Sequence, residues 1–244
     1  MGTHGKAKVV SLGGQPIHYR DEPAPFAAPK GEEFIAEISD HIEQHLGPIS
    51  SVFHELVSDT VHIDVHVVPA SEDFPAVRLV TSGMSDLPMT VPEDSGFPEF
   101  AELMVTLPAD WKLDQESFKD ERWYWPIRLL KDLARLPHKH ATWLGYGHTV
   151  PNGHPAEPYA PGVPFTGTIV LPPLGTPPEF EQLSIPGVKE IQFYSLVPLF
   201  QEEMDLKLRE GSDALLERFD EHDVTDFIDI GRRNVARRRA WPFR

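Results

Sequence analysis

The sequence predicts an α+β fold in which a mixed or antiparallel β-sheet packs against helices. Strand patterns occur in runs separated by few helical patterns, and the regular strand–helix alternation of a doubly wound α/β fold is missing. The 25 prolines among 244 residues are spread along the chain, which is typical of many firm loops rather than of a disordered proline-rich tail. Hydrophobic residues make up 40% of the chain, which is enough for a substantial core.

Four helices are predicted from apolar periodicity and from stop signals. In the first, apolar residues recur about every fourth position, and the pattern ends at Gly47-Pro48. Prolines are expected in the first turn of two others, where the missing N–H costs nothing. The predicted helices are residues 31–46, one that opens at Pro126 and stops at Pro137, one that opens at Pro198 and ends at Gly211, and residues 212–219.

Strands are predicted wherever short apolar or alternating runs lie between turn signals. The clearest alternation is in residues 60–69, where Val61, Ile63 and Val65 alternate with polar residues. The predicted strands are 8–12, 51–57, 60–69, 77–81, 100–107, 166–171 and 189–196.

The charge of the chain favours cationic partners. Lys plus Arg number 22 and Asp plus Glu 38, so the formal net charge is −16, which argues against general nucleic-acid binding by the main domain. Residues 232–244 hold six Arg and no acid, so the rest of the chain carries 16 bases against 38 acids, or −22. We expect this tail to dock on the acidic body. The alternatives are a mobile terminus or an arm for nucleic acid or anionic lipid.

Several classes of site and location are excluded by what the sequence lacks. The absence of cysteine excludes disulfides, thiolate metal sites and cysteine nucleophiles. The start of the chain has no apolar stretch of the kind found in a secretory signal peptide, and no run approaches 18 apolar residues. We therefore expect a cytoplasmic protein without a membrane partner.

Residues 62–66 hold the pattern that most resembles a metal site. Residues two apart on a strand point to the same face, so His62, Asp64 and His66 would lie together on the predicted strand 60–69. These ligand types suit zinc, iron or manganese, and one of the four histidines between positions 138 and 154 could complete the set. Polar alternation is also typical of the solvent face of a half-buried strand, which is the favoured interpretation. We predict no metal and no cofactor, and keep a metal-binding trio and a contact with a partner as the alternatives.

No catalytic signature is present. Ser82 and Ser85 flank Gly83 after a predicted strand, but the G-x-S-x-G pattern of a nucleophile elbow is missing. The glycine-rich motifs of nucleotide-binding loops are also missing. In the histidine-rich segment 136–154, His148 is predicted to hold a loop, with general-base or metal-ligand use as the alternative. We therefore predict no catalytic residue.

Several segments together resemble the suppressor-of-fused domain family. They are the TSGMS turn at 81–85 leading to Leu87-Pro88-Met89, ELMVTLPADW at 102–111, Trp125-Pro126-Ile127 with its following helix, TWLGYGHTV at 142–150, Leu171-Pro172-Pro173, and the segment 191–206. The resemblance spans roughly residues 33–219 and is specific in order and spacing. From the length, we expect a single-domain member of the bacterial type, without the extra C-terminal domain of the animal signalling protein.

The resemblance implies an α/β sandwich with no established catalytic activity and a protein-binding role. Animal members restrain a transcription factor by gripping a peptide that adds as a strand, an arrangement that depends on a second domain. Bacterial members resemble immunity proteins found beside polymorphic toxins. The implied domains are 1–30, an N-terminal extension and connector; 31–230, the family domain; and 231–244, the Arg-rich tail. The family-motif positions, either structural or partner-binding, are Thr81, Ser82, Gly83, Met84, Trp143, Gly145 and His148.

The function expected from charge and resemblance together is that of a non-enzymatic, immunity-type protein that neutralises a cognate basic toxin. One alternative is a metal-dependent hydrolase that uses His62, Asp64 and His66. The other is a regulator that sequesters a peptide by strand addition.

Overall fold

The computed structural model describes residues 9–18, 34–54 and 61–237. In the first half of the chain, the elements are β1 (Val9–Val10), β2 (Pro16–Ile17), α1 (Ile35–Leu46), β3 (Ser51–Phe53), β4 (Asp64–Val68), β5 (Ala76–Ser82) and β6 (Phe100–Pro108). In the second half, they are α2 (Glu121–His140), β7 (Thr149–Pro151), β8 (Gly167–Leu171), β9 (Gln182–Ile185), β10 (Lys189–Leu199), α3 (Gln201–Glu210) and α4 (Ser212–Asp220).

Among the described residues, eight strands form one mixed sheet, so the predicted α+β class is confirmed. The strand order is β3-β4-β5-β6-β10-β8-β7, and β9 also pairs with β10. Only β6 and β10 run parallel, and their pairing extends from Phe100–Ile191 to Met104–Ser195. Every other neighbouring pair in this sheet is antiparallel.

Helices cover both faces of the sheet. On the face that we call the α1 face, Ile38 and Ile42 pack in one apolar cluster with Val80 and Met104. Further along the same face, α3 and α4 cover β8 and the end of β10 with a second cluster that includes Met204. The opposite face carries the largest cluster, in which fully buried α2 residues contact the alternate residues of β4, β5 and β6. The sheet is therefore buried on both sides.

The two predictions that used proline as a helix start are wrong. Helix α2 begins five residues before Pro126, because the Asp120 carboxylate accepts the Arg122 N–H at 3.0 Å and caps the helix, and it continues through Pro137 to His140. The buried apolar face of α2 outweighs the hydrogen bonds that the two prolines cannot make. Most other predicted elements are found, within a few residues of the expected ends.

Pro198 lies in strand β10 and not in a helix. The register pairs β10 with β6 only as far as Ser195, so the missing N–H of Pro198 removes no hydrogen bond of the parallel ladder. Helix α3 starts after it, where the Glu203 carboxylate accepts the Phe200 N–H at 3.1 Å. The short strands β2, β7 and β9 were not predicted. The predicted ends at residues 8, 31–33 and 55–60 lie outside the described residues.

Candidate functional site

A tight turn at residues 81–86 joins the end of β5 to the following loop, and it is built around the buried carboxylate of Glu102 on β6. The Thr81 hydroxyl donates to Glu102 Oε2 at 2.6 Å. Glu102 Oε1 accepts the Gly83 N–H at 3.0 Å, the Ser85 N–H at 2.9 Å and the Ser85 hydroxyl at 2.7 Å. Because Glu102 is fully buried, burial raises the pKa of its carboxyl, while these four donors oppose that shift.

Gly83 is required by the shape of this turn. Its φ of +106° lies in the left-handed region, and a Cβ at this position would lie 1.8 Å from the His62 carbonyl oxygen. Two further side chains hold the turn from outside: His138 Nε2 donates to the Met84 carbonyl at 2.8 Å, and Lys189 Nζ donates to the Ser85 carbonyl at 2.7 Å. The family-motif residues at 81–84 therefore lie in a buried turn that is held by hydrogen bonds to Glu102, His138 and Lys189.

Ser82 and His66 form a buried pair beside this turn. His66 Nε2 and Ser82 Oγ are 2.8 Å apart, and both residues are about 1% exposed. Burial lowers the pKa of His66. A substrate cannot reach the Ser82 hydroxyl in this arrangement, so the contact resembles a catalytic dyad in distance alone.

The solvent-face interpretation of residues 62–66 is wrong for two of its three residues. His62 is exposed, but Asp64 and His66 are buried because the α1 face of the sheet is covered. Asp64 Oδ2 pairs with His54 Nδ1 at 2.8 Å, while His66 is engaged by Ser82. Within residues 9–18, 34–54 and 61–237, no three His, Asp or Glu side chains are grouped so that they could hold a metal ion.

The other family-motif residues form a second group in the loop that leads from α2 to β7. A Cβ on Gly145 would lie 2.5 Å from the Phe97 ring, so the absence of a side chain lets this ring pack against the loop. The Phe97 and His148 ring centroids are 5.5 Å apart, as are those of Trp143 and His148. The sequence therefore located a real aromatic group, although Phe97 was not predicted to belong to it.

Lys207 of α3 lies beneath this loop and was also missed. Its Nζ donates to the Gly147 carbonyl and, at 3.1 Å, to the Thr149 hydroxyl, and burial lowers its pKa to about 8. Burial together with the charges of Lys207 and His18 lowers the pKa of His148 to about 4. An imidazole with a pKa of about 4 is a weak proton acceptor at neutral pH, so His148 suits a packing role better than the role of a general base.

The described part of the Arg-rich tail docks on α3. Arg232 donates from two nitrogens to the two oxygens of the fully buried Glu203, at 2.7 and 2.6 Å, and its guanidinium lies 4.8 Å from the Phe200 ring centroid. Arg237 pairs with Glu202 at 2.8 Å. Residues 238–244 lie outside the described part of the chain. The sequence showed only a block of like charge, which cannot reveal that one arginine is an internal partner.

No described helix combines the length and apolar character needed to cross a membrane.

Comparisons with known proteins place this architecture in a family. The sequence model of the Suppressor of fused protein family matches residues 59–233. A crystal structure of a suppressor-of-fused homologue from Neisseria gonorrhoeae has 17% sequence identity and a TM-score of 0.60, over 82% of this chain and 95% of that one. A crystal structure of a Sufu–Fu complex has 16% identity and a TM-score of 0.54, over 84% and 93% of the two chains.

The structure of Drosophila Suppressor of Fused has 14% identity and a TM-score of 0.55, and the match covers 89% of this chain. This chain spans about half of that one, 52% of its length. No curated protein has a significant sequence match. At these identities the solved structures establish the shared fold, and the family model covers more than two thirds of the sequence. The chain therefore belongs to the suppressor-of-fused family.

Proposed function

We propose that this chain is a protein-binding domain of the immunity type, which binds and neutralises a cognate, basic toxin in the cytoplasm. The family to which it belongs often mediates protein binding, and one structural relative is a complex of Sufu with Fu. The observation that carries the choice of a basic partner is the net charge of −16.

Most of the described acidic residues lie at the surface, which supports the choice of a basic partner. The buried carboxylates among the described residues are Asp64, Asp86, Glu102, Glu203 and Asp226, and the other described acidic residues are at least partly exposed. Excess surface charge of one sign attracts oppositely charged proteins over roughly 10 Å at physiological salt and raises their association rate. The same field disfavours nucleic acid and anionic lipid.

In this proposal the motif residues shape the domain and do not react with a substrate. Residues 81–84 fix the turn at Glu102, and Trp143, Gly145 and His148 fix the loop that precedes β7. We also propose the domain division 1–30, 31–230 and 231–244, with the described part of the last segment anchored by Arg232.

Co-expression with the product of the neighbouring gene tests the proposal. If that product is toxic alone and growth is restored by this chain but not by an empty vector, the immunity function is supported. The proposal fails if the neighbouring product is harmless, or if toxicity persists when this chain is present at equal or higher abundance.

A further inference from the structure

One end of the sheet exposes apolar side chains that are held firmly in place. Parallel pairing between β6 and β10 stops at Met104–Ser195, and the segment 225–230 takes up the next position beside β6. Phe227 forms a parallel bridge with Thr106, and the Ile228 N–H donates to the Thr106 carbonyl at 2.8 Å. Ile228 is buried, whereas the Phe227 side chain remains 38% exposed.

A second loop is tied to the same place. Asp226 Oδ2 accepts the Leu174 N–H at 3.1 Å and the Ser195 hydroxyl at 2.7 Å. Arg78 donates to the Gly175 carbonyl at 2.6 Å, and its guanidinium lies 3.4 Å from the centroid of the Phe74 ring. One buried polar network therefore fixes both loops, so their exposed apolar groups are preorganised for contact.

We call Phe74, Leu174, Phe227 and Ile230 the Phe227 patch. Leu174 is 40% and Ile230 47% exposed, and the Phe74 ring is half-buried. Hydrogen bonds and the Arg78–Phe74 contact bring these segments to one end of the sheet, and exposed apolar side chains gathered in one region mark an interaction surface more often than scattered ones do.

Acidic residues that we call the acidic rim lie near Phe74, Phe227 and Ile230 along the chain. Glu72 and Asp73 precede Phe74, and Asp223 and Asp229 lie on either side of Phe227 along the chain. All four are exposed, and none forms an ion pair with a described residue. Arg78 is buried in the polar network and Arg232 points inward to Glu203, whereas Arg233 is exposed.

We propose that the Phe227 patch is the docking surface for a basic protein, which places an apolar side chain against Phe227 and Leu174 and sets Lys or Arg side chains against the acidic rim. The proposal rests on the proposed function and names the surface that it uses. An apolar centre supplies most of the binding free energy of such an interface, and a charged rim supplies attraction and specificity. A second copy of this chain would bring a rim of like charge, which opposes self-association.

The test measures binding of the purified, catalytically inactivated product of the neighbouring gene by titration calorimetry. Leu174→Ser removes part of the apolar centre, and Glu72→Lys with Asp73→Lys reverses part of the rim. The matched control is Glu93→Lys with Glu99→Lys, which makes the same change of charge beside the start of β6, at the opposite end of the sheet. We expect each patch variant to raise Kd about tenfold or more and the control to change it less than about threefold.

The outcomes separate the two proposals. If the wild-type chain neutralises and binds the product but the patch variants bind as tightly as the control, the surface is wrong and the function stands. If the wild-type chain does not bind at all, both proposals fail. A wild-type chain that is a dimer, with the patch variants monomeric, would overturn the assignment to a basic partner. The assignment would also be overturned if the patch variants weaken binding in the full chain but not in a chain without residues 238–244, because the Arg-rich tail would then be the occupant of the patch.

Discussion

Replacing Glu102 tests whether its carboxylate organises the turn at 81–86. In Glu102→Ala, the amides of Gly83 and Ser85 lose their acceptor inside the protein, and each buried unsatisfied donor costs about 1–3 kcal/mol. The hydroxyls of Thr81 and Ser85 can rotate to other acceptors, so they add less. We therefore expect the free energy of unfolding to fall by about 4 kcal/mol.

Glu102→Gln separates the role of the acceptor oxygen from that of the carboxylate. The amide oxygen can still accept the three bonds now made to Oε1, whereas the amide nitrogen cannot accept the Thr81 hydroxyl. The expected loss is about 1–2 kcal/mol. Urea unfolding followed by tryptophan fluorescence measures both variants. A loss below about 1 kcal/mol in Glu102→Ala would refute the central role of this carboxylate.

The pH dependence gives a second test of Glu102. Because burial raises its pKa in the folded protein, the folded state holds a proton that the unfolded state releases near its own pKa of about 4.3. The contribution of Glu102 to stability is therefore greatest below that pH and declines as pH rises towards the folded-state pKa. We expect the stability difference between wild type and Glu102→Gln to shrink over this range. A difference that grows with pH would contradict the assigned direction.

Other residues give four further predictions. Gly83→Ala should lower the free energy of unfolding by roughly 3 kcal/mol or more, since its Cβ would meet the His62 carbonyl. Gly162 also has a positive φ, +82°, but a Cβ there would meet no atom within 4 Å, so Gly162→Ala should cost only about 1 kcal/mol. Equal losses for the two variants in urea unfolding would contradict this. Arg232→Met leaves Glu203 buried without its cation and should lower the free energy of unfolding by about 3–5 kcal/mol, against less than about 0.5 kcal/mol for the exposed Arg233→Met. Similar thermal midpoints for the two variants would contradict a stabilising role of the Arg232–Glu203 ion pair. Because burial holds the pKa of His148 at about 4, its contribution to the free energy of unfolding should be lost as pH falls from about 6.5 towards 4. In His148→Phe, stability should therefore depend less on pH in this range. The same pH dependence in the variant and the wild type would refute the lowered pKa. Mass spectrometry of the purified chain should find less than about 0.1 zinc, iron or manganese per molecule, and a stoichiometric metal lost in His62→Ala with His66→Ala would support the hydrolase alternative.

Sequence periodicity was sufficient for the sheet strands that are buried on both sides. Residues 77–81 and 100–107 are mostly apolar, with one charged residue in each, and β5 and β6 extend these predicted strands only slightly. Proline positions predicted the helix starts wrongly, because tertiary contacts determine where α2 and α3 begin. Pro198 is tolerated in β10 because the parallel ladder ends at Ser195, and nothing local in the sequence marks that end.

The candidate site was only partly visible for a related reason. The TSGMS turn could be recognised as a motif, but its organising residue, Glu102, lies 17 residues beyond Ser85 and follows a long loop. A single acidic residue inside the apolar run 100–107 was the available signal, since a buried charge requires dedicated partners. Likewise, the exposed and buried members of the trio at 62–66 differ because helix α1 covers the sheet, which strand alternation alone cannot show.

Association between the purified chain and the inactivated product of the neighbouring gene, measured at increasing salt, tests the proposed function most directly. We expect a one-to-one complex whose association rate falls at least about tenfold between about 50 and about 500 mM NaCl, because screening weakens attraction to the acidic surface. No complex at micromolar concentrations, or an association rate that does not change with salt, would contradict it.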